Sequence, residues 1–208
     1  LVVQADGKIV LAGYSDTGSG YDFALVRYNA DGSLDSSFGT GGIVTSAIGS
    51  DLDQGNSLAI QPDGRIVVAG YSYNGSNQDF ALARYNVDGS LDASFGSGGR
   101  LTTAIGSSND TAHSVSIQAD GKIVVAGQTW NGADLDFALA RYQADGSPDA
   151  SFGSGGVLTT AIGLGNDWGF SLSLQVDGKI LVAGFSNNGS DDDFVLVRYN
   201  TDGSLDNG

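Results

Sequence analysis

Apolar residues in this chain occur in short runs, each cut off by Asp, Gly, Asn or Ser. The stretch from Ser57 onward shows the pattern in full. Ser57 to Gln61 alternates small and apolar residues and stops at Pro62-Asp63-Gly64, where Asp-Gly supplies the positive φ a tight hairpin needs. This predicts strand A. Arg65 to Ser72, with its Ile-Val-Val centre, predicts strand B, and a polar loop follows from Tyr73 to Gln78. Asp79 to Asn86 predicts strand C. A longer Gly-rich connection through Gly98-Gly99 then leads to strand D, Arg100 to Ile105.

The same pattern recurs at a fixed step of 57 residues without insertion. Gln4-Ala-Asp-Gly, Gln61-Pro-Asp-Gly, Gln118-Ala-Asp-Gly and Gln175-Val-Asp-Gly are in register. So are Phe23, Phe80, Phe137 and Phe194, and likewise Arg27, Arg84, Arg141 and Arg198. Four antiparallel strands per unit at this period is the arithmetic of a propeller blade, since a solenoid rung is shorter. The expected fold is therefore all-β, a β-propeller of four 57-residue blades. Residues 1–208 form one propeller domain or propeller fragment, with repeats at about 1–54, 55–111, 112–168 and 169–208. Strands B and C occur four times but strand D only three, at Gly42 to Ile48, Arg100 to Ile105 and Val157 to Ile162, so one outer strand is expected to be missing. In strand A the side opposite the apolar residues carries small ones (Ser114 and Ser116, Ser171 and Ser173), which a crowded central channel tolerates.

Composition agrees and narrows the chemistry. All 24 acidic residues are Asp, there are 33 Gly, and with no Glu the chain favours turns over helices. A formal charge of −15 argues against nucleic acid or an anionic membrane as partner, since both call for clustered Lys and Arg. Cys and Met are absent, so packing and sheet hydrogen bonds must supply the stability. No apolar run reaches the length of a membrane span, and the start at Leu1 fits a processed or excised segment. Acidity, Gly and Asn richness and the lack of Cys suit an extracellular or cell-surface bacterial protein.

Gln-x-Asp-Gly-Lys-Ile-x-Val-Ala-Gly, followed by Asp-Phe-x-Leu-x-Arg-Tyr-Asn-x-Asp-Gly-Ser-Leu-Asp-x-x-Phe-Gly-x-Gly-Gly, resembles the delta-60 repeat family, a domain of unknown function assigned to β-propellers. The resemblance spans essentially the whole chain, with Gln143 and Pro148 as small departures. It implies secreted or surface-attached modular bacterial proteins, and it brings no catalytic residues with it.

Several recurring groups invite chemistry. Asp31 and Asp35, Asp88 and Asp92, and Asp145 and Asp149 flank Gly turns, and oxygen donors at alternate positions are how short calcium loops are built. No distal bidentate carboxylate accompanies them. The competing account is a turn capped by its own Asp, with no cofactor. Each repeat Arg shares a strand face with its Phe and is expected to pair with an Asp such as Asp22 or Asp35, because a partly buried charge must be paired. His113, the single histidine, has Asp110 and Ser114 beside it, but sequence neighbours rarely converge as a triad. Gly39 to Gly42 precedes a strand, so no helix N-terminus is on offer for phosphate.

Comparing the copies locates the variation. The A–B and C–D turns are nearly identical throughout, whereas the B–C loops (Ser15 to Tyr21, Ser72 to Gln78, Thr129 to Leu135, Ser186 to Asp192) and the D–A loops differ. In an up-and-down blade these two loop types open on the same end. That end carries Tyr21, Tyr73, His113, Trp130 and Trp168, which are the candidate ligand-binding residues. Aromatic rings beside Asp and Asn on loops suit a carbohydrate or protein ligand. Three readings follow: a non-enzymatic extracellular binding or scaffold module, a structural protein self-assembling into rings or fibres through open blade edges, and, weakest, an Asp-based hydrolase or lyase at the channel mouth.

Overall fold

Ile66-Val-Val-Ala and Phe80-Ala-Leu-Ala-Arg-Tyr each put β-branched or aromatic residues into a pleated ladder, and neither is interrupted by a turn residue. A computed structural model describes residues 1–18 and 20–207; Ser19, in the first B–C loop, and Gly208 lie outside them. It divides into two compact units, Leu1–Thr103 and Ala104–Gly208.

The first unit holds two four-stranded antiparallel sheets. One is β1 (Val2–Val3), β2 (Ile9–Asp16), β3 (Tyr21–Tyr28) and β4 (Ile43–Ser46); the other is β5 (Asp53–Ile60), β6 (Ile66–Tyr73), β7 (Gln78–Tyr85) and β8 (Arg100–Thr103). The second unit holds a four-stranded sheet, β9 (Asp110–Ile117), β10 (Ile123–Trp130), β11 (Leu135–Tyr142) and β12 (Val157–Thr160). Beside it is a three-stranded one, β13 (Asp167–Leu174), β14 (Ile180–Asn187) and β15 (Asp192–Tyr199). Every sheet is an up-and-down meander in chain order, which is the blade the repeat predicts, and the fourth blade has no strand D among the described residues.

Two strand lengths differ from the sequence expectation, for one reason. Strand A begins at Asp53, Asp110 and Asp167, four residues before the apolar run, and strand D stops after four residues. The N–H of Ile48, Ile105 and Ile162, which would have extended strand D, donates instead to the carboxylates of Asp53 (2.6 Å), Asp110 (2.7 Å) and Asp167 (2.7 Å). Gly49, Gly106 and Gly163 add a second N–H to the same acids, which are buried. One acid per repeat thus ties the D–A loop to the mouth of the next strand A.

Strand A also carries a bulge. Gly55 faces Gly70 and Ser57 faces Ala69, so Asn56 is the extra residue; His113 and Phe170 hold the same place in the next two blades. The bulge requires Gly on strand B, because a Cβ at Gly70, Gly127 or Gly184 would lie 1.8, 2.0 or 1.7 Å from the carbonyl oxygen of Gln54, Thr111 or Trp168. At the A–B turn, Gly64 donates to the Gln61 carbonyl and adopts φ +85°, giving the positive-φ Gly a tight hairpin needs.

Within each unit, blades stack face to face. In the first unit Leu58 and Val68 of the second blade cover Phe23 and Leu25 of the first. In the second unit Leu172 and Val182 cover Phe137 and Leu139. Each buried Phe or Leu contributes about 1.5–3 kcal/mol. Below this apolar layer Arg27 and Arg141 reach across to the following blade, donating from Nη1 to the carbonyls of Val87 and Thr201. The guanidiniums also lie 4.4 and 4.5 Å from the ring centres of Phe38 and Phe152. Gly39 and Gly153 donate their N–H groups to the carbonyls of Asp88 and Asp202.

Candidate functional site

The repeated Asp-Gly-Ser-x-Asp turns are closed on themselves. Asp31 Oδ1 accepts from the N–H and the hydroxyl of Ser33, and Asp88 and Asp145 do the same with Ser90 and Ser147. These bonds hold the carboxyls of Asp31 and Asp88 below the usual range. The second acid of each turn is buried and accepts from the repeat Arg: Arg27 to Asp35 at 2.7 Å, Arg84 to Asp92 at 2.8 Å, Arg141 to Asp149 at 2.7 Å. Of the acids offered by the sequence, Asp35 is therefore the partner of Arg27. For Asp35, bonds from the Ser37 hydroxyl and Lys8 dominate and depress its pKa. For Asp149, burial opposes ionisation, but bonds from Ser151 and Arg141 outweigh it and bring the pKa to about 2. Asp92 is lowered by the same balance with Ser94 and Arg84. The two acids of a turn thus serve separate purposes, and among the described residues no three His, Cys, Asp or Glu side chains converge.

A cleft of about 500 Å³ opens at this end of the second unit, lined by Gln118, Asp120, Lys122, Arg141, Gln175 and Asp202 among others. Its cations are paired within the fold: Lys122 with Asp120 and Asp149, Arg141 with Asp149. The buried Oε1 atoms of Gln118 and Gln175 have no hydrogen-bond partner, and Gln4 repeats the same feature in the first unit. Gln61 of the second blade departs from this, its Oε1 accepting from Arg84 Nη1 at 3.5 Å.

The opposite ends, where the B–C and D–A loops lie, differ from blade to blade. In the first unit Tyr21 opens β3, half exposed, and stacks edge-on against Tyr14 with ring centres 5.2 Å apart. Tyr73 closes β6, and its N–H donates to the Leu52 carbonyl of the adjoining D–A loop. In the second unit Trp130 closes β10 with its N–H on the Asn109 carbonyl and 36% of its surface exposed. Trp168 lies on β13 opposite Phe185. Asn166 Oδ1 accepts from the Leu135 N–H, joining the third blade's B–C loop to the D–A loop that carries Trp168.

His113 is the bulge residue of β9. Its Nε2 lies 3.2 Å from Gln128 Oε1, its ring packs 5.1 Å from Phe170, and burial lowers its pKa. Asp110 is committed to the D–A loop and to the Thr129 hydroxyl, so the neighbouring residues form no triad. From His113 a string of rings continues through Phe170 and Phe185 to Phe194 at 5.1, 5.9 and 4.9 Å. Sequence reasoning missed Tyr14, Gln128, Phe170, Phe185 and Phe194 as members of these surfaces. A signal for some was present: the residue after the strand B Gly reads Tyr14, Tyr71, Gln128 and Phe185, varying inside an otherwise uniform strand.

A family model described as "Domain of unknown function (DUF5122) beta-propeller" matches residues 4–38, 61–95, 118–152 and 175–208. The chain belongs to this DUF5122 β-propeller family. The four matched segments coincide with the blade repeat, each running from the A–B turn to the Phe of the C–D connection or to the chain end. Among solved structures, an endo-arabinase from Bacteroides thetaiotaomicron VPI-5482 is similar at 15% identity with a TM-score of 0.51, covering 97% of this chain and 75% of its own. A protein of unknown function from Bacteroides caccae aligns at 12% identity and a TM-score of 0.37, over 96% of this chain and 80% of its own. Among curated proteins, none matches the chain. At 15% identity the likeness of this DUF5122 chain to the endo-arabinase is one of fold.

Proposed function

We propose that the chain is a non-enzymatic binding or scaffold module working outside the bacterial cell, which engages a carbohydrate or protein ligand on the blade ends bearing the variable B–C and D–A loops. The observation that carries this is the contrast between the two ends of the blades. The uniform turns spend their carboxylates on Ser and Arg of the same turn. The variable ends leave aromatic surface open at Tyr14, Tyr21 and Trp130, with Asn and Asp side chains beside them. A flat apolar ring flanked by polar groups stacks on the apolar face of a sugar or on an apolar side chain while the neighbours orient it. The extracellular setting rests on composition and on the resemblance to delta-60 repeats. No activity is carried over from the endo-arabinase, because 15% identity speaks for the fold alone.

The test is binding to an array of bacterial and plant glycans, repeated with Trp130→Ala and Trp168→Ala. The expected result is one or a few retained glycans whose signal falls at least tenfold in the variants. A blank array, or signals that ignore both substitutions, sinks the carbohydrate reading.

A further inference from the structure

The two ends of each unit differ in charge as well as in sequence. Every Lys and Arg lies at the end that carries the A–B and C–D turns. One cation per repeat follows the A–B turn (Lys8, Arg65, Lys122, Lys179), the four repeat arginines stand next to last in strand C, and Arg100 opens strand D of the second blade. The opposite end, with the B–C and D–A loops, holds half of the 24 Asp and no Lys or Arg. In the first unit these acids are Asp16, Asp22, Asp51, Asp53 and Asp79; in the second they are Asp110, Asp134, Asp136, Asp167 and Asp191 to Asp193.

Buried acids at the two ends have different partners. At the turn end each meets two cations: Asp35 has Lys8 at 2.9 Å and Arg27 at 2.7 Å, Asp92 has Arg65 at 3.0 Å and Arg84 at 2.8 Å, and Asp149 has Lys122 at 3.6 Å and Arg141 at 2.7 Å. At the loop end the donors are neutral. Asp53 accepts from the N–H groups of Ile48 and Gly49, and Asp167 from those of Ile162 and Gly163. Asp79, 7% exposed, accepts at Oδ2 from the Asn74 side-chain amide at 2.9 Å, and its buried Oδ1 has no hydrogen-bond partner. Neutral donors fix a carboxylate in place without cancelling its charge, so the loop end projects a negative field, which salt at physiological strength screens over about 8 Å.

Aromatic surface opens at the same ends, at Tyr14 and Tyr21 in the first unit and at Trp130 in the second. A guanidinium or ammonium is attracted to the face of such a ring, and the aliphatic stem behind it covers apolar surface. Among the described residues no three of the carboxylates converge, so the charge is spread for an extended polycation rather than focused on a single ion. We propose that the loop ends of each unit bind a Lys- and Arg-rich segment of another protein, a partner that rests on the reading of these ends as the ligand-bearing ones. The segment's cations meet the loop carboxylates, and its side-chain stems lie on Tyr14, Tyr21 and Trp130. Complementary charge of this kind selects the partner and speeds its capture.

Fluorescence anisotropy of the 208-residue chain with a short labelled peptide, Lys and Arg interleaved with Gly and Ser, tests it. The peptide should bind, a counterpart with Glu for Lys and Arg should not, and affinity should fall at least about tenfold as salt rises from about 0.05 to about 0.5 M. Two variants of equal net charge then locate the site. One carries Asp22→Asn, Asp51→Asn, Asp134→Asn and Asp191→Asn at the loop ends; the other carries Asp6→Asn, Asp63→Asn, Asp120→Asn and Asp177→Asn in the A–B turns, where Asn-Gly suits a hairpin as well as Asp-Gly does. The loop set should weaken binding about tenfold or more, and the turn set less than about threefold. Far-UV circular dichroism confirms that both are folded, and Asp51→Asn with Asp191→Asn replaces a loop set that is not. No binding of the peptide, or equal losses in the two sets, overturns the proposal. A neutral glycan retained by the chain and lost in Trp130→Ala, with the peptide unbound, overturns the basic partner while the loop ends keep their role as the ligand surface; a blank array with no peptide bound overturns both.

Discussion

Arg141 donates from Nε to Asp149 Oδ2 at 2.7 Å with about 95% of both side chains buried, at a spacing of eight residues that recurs in every repeat. The pair makes stability depend on acid pH. The folded pKa of Asp149, about 2, lies below its ordinary 3.8, so the unfolded chain binds more protons between these values. Stability is therefore complete above about 3.8 and is lost as the pH falls toward about 2. Asp35 and Asp92 are shifted in the same direction and steepen the loss. Thermal melts across this window should show a falling Tm with a shallower slope in Asp149→Asn. Arg141→Leu, which leaves the buried carboxylate with the Ser151 bonds and Lys122 at 3.6 Å as its one cation, should cost about 3 kcal/mol at neutral pH.

The strand A bulge predicts a contrast between glycines that look equivalent in sequence. A Cβ at Gly127 would stand 2.0 Å from the Thr111 carbonyl oxygen and 2.8 Å from the Ala112 Cα, so strand A backbone would have to give way. At Gly13, in the same repeat position, a Cβ meets nothing within 4 Å, because β1 is only two residues long. Gly127→Ala should therefore destabilise by about 3 kcal/mol, within the range for overpacking. Gly13→Ala should change stability by less than about 0.5 kcal/mol. Urea denaturation of the two variants measures both.

These two features also mark what could and could not be read from the chain. The strand order and blade count were legible because Asp-Gly turns and apolar runs recur in phase, and Arg27 with Asp35 was foreseeable as a buried charge seeking a partner. The inner strand was read too short. Asp53, Gln54, Gly55 and Asn56 carry loop chemistry and enter the ladder through a bulge that no local pattern announces, although the recurrence of Asp53, Asp110 and Asp167 does mark the acid that caps the entry to strand A. The candidate surface suffered from the same limit. Tyr21, Tyr73, Trp130 and Trp168 stood out as loop aromatics, whereas Phe194 looked like Phe23, Phe80 and Phe137 and differs only in being uncovered.

Calcium should leave the melting temperature unchanged. The carboxylate of Asp145 accepts from Ser147 and that of Asp149 from Arg141 and Ser151, so a cation would have to displace a buried guanidinium to gather both. A site filled at a hundredfold excess over its Kd would add about 2.7 kcal/mol, which a melt registers easily. Scans with excess calcium and with chelator should coincide, and a clear rise with calcium would restore the Asp-Gly-Ser-x-Asp turns as metal loops.

His113, the single histidine, gives the second loop surface its own reporter. Burial between Gln128 and Phe170 lowers its pKa from the ordinary 6.5, so the folded chain holds the ring neutral where the unfolded chain would begin to protonate it. Below 6.5 the unfolded state therefore takes up the extra proton, and this contribution to stability fades as the pH falls through the folded pKa. The imidazole proton signals should titrate with a midpoint below 6.5. His113→Phe, which installs the residue the fourth blade already carries at this bulge, should remove the corresponding pH dependence of Tm and extend the Phe170–Phe185 ring string. A ligand seated on this surface should shift the same signals, so one spectrum reads both the titration and the binding; a midpoint at or above 6.5 would contradict the burial argued for the ring.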